Sequence, residues 1–193
     1  MAEKDETTDE NLDNDGLVIQ EFEHMVLVVV PPEGYREETM RYARSSLLGV
    51  HVGTRSVSTQ SEEAIMGVLQ DEFLVDGPLE GVSMDDYAGV IFVDGGAGCS
   101  IYSDPAALKL AADADAQGKL IAAWGDSVAV LASSKVVRRR KVTGSAAVRS
   151  ALESAGGKFT GVECERDGHI VTARDDSAGF RLGKAMVQVI ALP

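Results

Sequence analysis

A chain of 193 residues, 45% of them hydrophobic, is long enough for one domain whose buried core outweighs chain entropy, and a net charge of −13 disfavours nucleic acid phosphates and anionic lipid as partners. A glycine count of 20 and a proline count of 5 exclude collagen-like and low-complexity classes, and the longest apolar run, Met25–Val30, is too short to cross a bilayer. Two cysteines are too few for a disulfide scaffold and no secretory signal is read at the start, so a reducing, cytoplasmic setting is expected.

Residues 1–16 hold seven acids against Lys4 and show no apolar period; they are expected to form a disordered or loosely attached tail. The remainder, 17–193, is expected to be a single α/β domain. Leu17–Phe22 offers an edge strand. Met25–Val30 is a continuous aliphatic run of the kind buried on both faces of a parallel sheet, stopped by Pro31-Pro32. Arg36–Leu48 has helical spacing, with Met40, Ala43, Leu47 and Leu48 inward, Arg36, Glu37, Arg41 and Arg44 outward, and Gly49 ending it. Val50–Val57 alternates as a second strand. Ser61–Val82 is ambiguous, with a short helix around Glu62–Leu69 and extended pieces about Phe73–Val75.

Gly89–Val93 reads as another central strand, closed by Asp94-Gly95-Gly96. Asp104-Pro105 caps and opens a helix through Ala116, and Gly118 closes it. Leu120–Trp124 is a strand, Gly125 a sharp turn, and 126–132 a helix. The basic run Arg138–Lys141 reads as a solvated loop before a short strand, Lys141–Thr143. A helix over Ala146–Ser154 follows. Val162–Glu165 and His169–Ala173 flank the turn pair Asp167-Gly168. The last helix, Ala178–Ile190, has Phe180, Leu182, Met186 and Val189 as its inner face. Alternating strands and helices predict a doubly wound, mostly parallel sheet with helices on both faces. His24, His51 and His169 are far apart, no metal spacing exists, and no cofactor is expected.

Strand, tight turn and helix over 119–131 are the layout of a nucleophile elbow, but its apex is Gly125, which has no side chain. Three stretches carry a resemblance. Val90-Ile-Phe-Val-Asp-Gly-Gly96 resembles an apolar strand ending in a double glycine, Gly118–Leu131 resembles the elbow, and Lys141–Gly157 with Asp167–Arg174 resembles the C-terminal signature of the ThiJ/PfpI family, within the class I glutamine amidotransferase-like superfamily. The likeness covers residues 24–190. It implies a flavodoxin-like sandwich, usually a homodimer, in a family of peptidases, glyoxalase- or deglycase-like enzymes, isonitrile hydratases, chaperone-like proteins and regulators. Working members place a cysteine at the elbow, often followed by histidine, and a glutamate from the first strand–helix loop. The corresponding positions here are Gly125, Asp126 and one near Thr39, with Glu37 and Glu38 close by.

Several residues carry two readings. The N–H groups of Gly95-Gly96 and of the first turn after Gly125 are candidates for an anion site like an oxyanion hole. Asp126 and Ser127 are N-caps, or a general base and a substitute nucleophile. Cys99 is an inert loop thiol, or a displaced nucleophile with a lowered pKa. Cys164 reads as packing, and Trp124 as core or pocket wall. Two functions follow: a non-catalytic ThiJ/PfpI-like homodimer that binds a small ligand or partner, or a hydrolase- or glyoxalase-like enzyme with a displaced centre at Cys99 or Asp126-Ser127 helped by Glu37 or Glu38. A third reading has the acidic tail contact a basic partner.

Overall fold

A computed structural model describes residues 22–96 and 98–191. In chain order these form β1 (His24–Val29), α1 (Glu37–Leu48), β2 (Val52–Ser58), β3 (Ile65–Met66), β4 (Glu72–Phe73), β5 (Gly77–Pro78), β6 (Gly89–Phe92), α2 (Pro105–Ala116), β7 (Leu120–Trp124), α3 (Ala129–Ser133), β8 (Lys141–Val142), α4 (Arg149–Ser154), β9 (Lys158–Phe159), β10 (Cys164–Asp167), β11 (Ile170–Ala173) and α5 (Gly179–Ile190). Seven strands make the central sheet in the order β10-β11-β7-β6-β1-β2-β5. All neighbours pair in parallel except β10, which returns antiparallel to β11. This is the doubly wound, mostly parallel architecture expected from the sequence. β3–β4 and β8–β9 are small separate pairs.

The central strands are short unbroken apolar runs because both of their faces are covered. Val26, Val28, Ile91, Ala122 and Trp124 belong to one core with Met40, Ala43 and Leu47 of α1 and Leu182 and Met186 of α5. Leu27, Val29, Val90, Phe92 and Ile121 belong to the other, with Leu110 of α2, Leu131 of α3 and Leu152 of α4. α1 and α5 approach so closely that a Cβ on Gly183 would lie 2.2 Å from Ser46 Oγ, which restricts that position to glycine. Asp104 caps α2 as its spacing predicts, accepting the N–H groups of Ala106 and Ala107 at 2.8 and 3.2 Å. Among the described residues no helix is long and apolar enough to cross a membrane.

Some expectations give way to tertiary context. The proposed edge strand over Leu17–Phe22 lies outside the described residues, save Phe22, which is in no strand. Glu62–Leu69 is not helical. Its chain turns around Glu37, whose Oε1 accepts the Leu69 N–H at 2.5 Å, while Gly67 N–H bonds Asp71 O at 2.9 Å. Glu37, expected outward, is therefore only 3% exposed. Leu48 and Phe180, expected inward, are 53% and 70% exposed. In α5 the face towards α1 is set by Gly179 and Gly183, and this rotates Phe180 to the outside. α4 begins at Arg149, later than the expected Ala146, after a turn.

Candidate functional site

β6 and β7 are parallel neighbours, so the segments leaving their C-terminal ends come together at one end of the sheet. After β7 the chain reverses at Gly125, whose φ of +59° is in the left-handed region that glycine enters freely. A 3-10 turn, Gly125–Val128, leads into α3. Ser127 is fully buried and holds this turn. Its Oγ accepts the Trp124 N–H at 3.1 Å, and its hydroxyl faces the carbonyls of Trp124 and Phe92 at 2.7 and 2.9 Å. That hydroxyl is committed to structure and is not placed to attack a substrate.

Opposite Gly125 stands Asp94, the residue between β6 and the double glycine. A Cβ built on Gly125 would lie 2.0 Å from Asp94 Oδ2. The other oxygen, Oδ1, accepts the Tyr102 hydroxyl at 2.9 Å, the Gly96 N–H at 3.1 Å and the Asp126 N–H at 3.2 Å. The Tyr102 oxygen in turn accepts the Gly95 N–H at 2.9 Å. Gly95, Gly96, Gly125 and Asp126 thus converge, and the Gly96 and Asp126 N–H groups, with the Tyr102 hydroxyl, are aimed at an anion. The anion is the chain's own carboxylate. The β1–α1 loop closes over the same place, with Arg36 N–H donating to Asp94 O at 2.9 Å and Pro31 packed where a Cβ on Gly95 would be.

Burial pushes the Asp94 carboxyl above its usual range, and the nearby Asp126 carboxylate adds to this; the Gly96, Tyr102 and Asp126 donors pull the other way without cancelling it. Burial, then the Asp94 charge, also push the Tyr102 phenol up, so it remains a donor. Asp126 is half-buried and accepts the Ser145 hydroxyl.

The remaining sequence candidates lie around this centre. Trp124 is fully buried and its indole Nε1–H donates to Asp176 Oδ1 at 2.9 Å, which places it in the core beneath the turn. Glu37 turns to Leu69, Glu38 is exposed, and the Thr39 hydroxyl donates to Asp176 O at 3.0 Å; none of the three hydrogen-bonds Asp94 or the Gly125 turn. Cys99 is half-buried at the start of the 3-10 turn Ser100–Ser103. The lowered thiol pKa read from the loop sequence is reversed. Burial raises it, the Ile101 N–H partly offsets this, and the Glu33 and Asp94 carboxylates raise it further. At pH 7, Cys99 is expected to react with Ellman's reagent more slowly than glutathione in the folded protein and at an ordinary rate in urea; equal folded and glutathione rates would refute this environment. Burial likewise pushes Cys164 up to about 11.

Sequence reading missed Asp94 and Tyr102. The available signal was an acid directly before Gly95-Gly96 in a chain whose apex is glycine. Among the described residues no group of three or more His, Cys, Asp and Glu side chains is placed to hold a metal ion.

Comparison with known proteins bears on the fold and the family. The ThiJ/PfpI domain protein from Brachyspira murdochii superposes with a TM-score of 0.81 at 23% identity, covering 86% of this chain and 96% of that one. A two-domain protein from Anabaena variabilis, containing DJ-1/ThiJ/PfpI-like and ferritin-like domains, gives 0.80 at 19% identity, over 89% of this chain and 50% of that one. Drosophila melanogaster DJ-1beta gives 0.73 at 21% identity, over 87% and 95%. No significant match is found among curated protein sequences. The DJ-1/PfpI family model matches residues 24–189, and the chain belongs to that family.

Proposed function

We propose that this family member performs no thiol chemistry at its elbow and acts by binding, as a homodimer that engages a small ligand or a protein partner. The resemblance assigns the reactive cysteine to position 125, where this chain has glycine. One observation carries the reading: Asp94 Oδ2 stands where an apex side chain would begin, and Oδ1 takes the N–H groups that would otherwise receive an oxyanion. Ser127 is locked into the turn, and the Cys99 thiol is held protonated by its surroundings. The test is turnover of peptidase, glyoxalase and deglycase substrates. No turnover above a heat-denatured control is expected, and activity lost on Cys99→Ser or Asp94→Asn would overturn the proposal.

That last variant also tests the second reading, a displaced centre. Asp94 itself favours it, since Oδ1 is fixed by three donors while Oδ2 faces the apex. A carboxylate would then replace Cys99 or Asp126-Ser127 as the reactive group.

Support for the homodimer comes from the segment 66–74, where Leu69 and Leu74 are 60% and 63% exposed and Met66 and Val68 also reach solvent. Apolar side chains gathered on one hairpin suit a second copy. Leu69→Glu/Leu74→Glu is expected to shift the mass measured by light scattering from two chains to one; an unchanged dimer would place the interface elsewhere. The acidic balance weighs against nucleic acid and membrane surfaces, and two unpaired cysteines support a reducing, cytoplasmic location.

A further inference from the structure

The charge of this acidic chain is unevenly spread. Residues 134–161 hold seven Lys and Arg against one acid, Glu153, while residues 3–15 hold seven acids against Lys4. Of the seventeen Lys and Arg side chains in the described residues, eleven make an ion pair or a hydrogen bond. Six make neither among the described residues, and five of these, Lys135, Arg138, Arg139, Lys141 and Lys158, belong to the one stretch 134–161 and are exposed.

The fold gathers them. β8 and β9 pair in parallel with Lys141 opposite Lys158. The Arg139 N–H donates to Gly156 O at 2.8 Å and the Lys158 N–H to Arg140 O at 2.8 Å, and a Cβ on Gly156 would lie 3.4 Å from Arg138 Cγ. The acids supplied by surrounding elements are engaged or balanced. Asp115 and Asp167 face Arg140, with His169 also on Asp115. Glu153 pairs with Arg149 and Glu163 with Arg181. Glu165 and Arg166, on the β10 strand beside β8, offset each other in charge. A net cationic face is left, and like charges at this spacing repel unless an anion covers them.

The described chain starts at the same end of the sheet. β1, β6, β7 and β11 are parallel, so His24 and Ile170 enter from one side, and Arg140 meets Asp167 in the turn just before Ile170. β1 and β11 are three strand spacings apart, about 14 Å. A stretch as long as 16–21 spans up to about 20 Å, so the acids of 3–15 can reach the basic face.

We propose that residues 3–15 seat on this face of their own chain, with carboxylates against Arg138, Arg139, Lys141 and Lys158. Each exposed pair is weak, but the tether holds the segment at a local concentration of the order of millimolar, which favours it over a free acidic partner. The chain thus supplies the basic partner of its own acidic segment, and that segment screens a cationic face from other polyanions. The elbow plays no part in this contact.

The test is carbodiimide coupling of the full chain, which joins a carboxylate to a lysine amine with no spacer, read by peptide mass spectrometry. An equal mixture of heavy-isotope-labelled and unlabelled protein separates links within a chain from links between chains. Links from residues 3–15 are expected within one chain, at Lys141 and Lys158 at least fivefold above Lys184, the exposed and unpaired lysine of α5. They are expected to fall at least threefold in about 0.5 M salt. Arg138→Gln/Arg139→Gly is expected to lower them at least threefold. Both side chains are exposed and Arg139 is at φ +65°, which glycine enters freely, so the double variant retains the fold. Equal yields at Lys184, links chiefly between chains, no links from residues 3–15, or yields unmoved by salt or by the double variant would each overturn the proposal.

Discussion

Gly125→Cys is expected to destabilise the protein rather than install a working thiol. Two penalties combine. A non-glycine residue at φ +59° costs about 1–2 kcal/mol. Its Cβ would also be built 2.0 Å from Asp94 Oδ2, and such overpacking costs roughly 1–3 kcal/mol as the carboxylate is driven from its three donors. Thermal denaturation should show a midpoint roughly 5–15 °C lower for a domain of this size. Gly125→Cys/Asp94→Gly makes room for the side chain and should recover the overpacking share, so that the double variant is more stable than the sum of the two single changes by about 1–3 kcal/mol. A Gly125→Cys protein as stable as the parent would show that Asp94 does not occupy the apex. Additive losses in the cycle would say the same.

Asp94→Ala and Asp94→Asn should separate sharply. Alanine strands the Gly96 and Asp126 N–H groups and the Tyr102 hydroxyl without an acceptor, and a loss of about 1–3 kcal/mol is expected. Asparagine keeps an oxygen for all three donors and removes a buried charge. The folded protein holds the Asp94 proton more tightly than the unfolded chain does, whose carboxyl has the ordinary 3.8. The stabilisation linked to that proton is complete below 3.8 and is lost as pH rises through the higher folded value. Urea denaturation between pH 3 and pH 8 should therefore show the Asp94→Asn protein gaining on the parent as pH rises through that window. A gap that stays constant, or that closes with rising pH, would contradict the burial of this carboxylate.

Sequence spacing carried the fold further than the site. Met25–Val30, Gly89–Val93 and Leu120–Trp124 are legible as central strands because cover on both faces demands unbroken apolar runs, and Asp104-Pro105 marks a helix start by local chemistry alone. Glu62–Leu69 misleads because its shape is imposed from α1, through the Glu37 carboxylate. Phe180 misleads for a similar reason: the face of α5 is chosen by how closely Gly183 lets it approach Ser46. At the site, Gly95, Gly96 and Gly125 announce themselves by type. Asp94 does not, because its role depends on a turn 31 positions later in the chain, and an acid before two glycines looks like any turn. The environment of Cys99 is equally non-local, being set by burial and by Glu33 and Asp94.

The contact between α1 and α5 has a consequence for synthesis. The two helices that share one layer are the first and the last described along the chain. As the polypeptide leaves the ribosome, Met40, Ala43 and Leu47 emerge early, while Leu182 and Met186 come some 140 residues afterwards. At about 5–20 residues per second the wait is roughly 7–30 seconds. During that interval one oily flank of the nascent sheet stays partly uncovered, a window for chaperones and for misassembly that closes only when translation reaches the final helix.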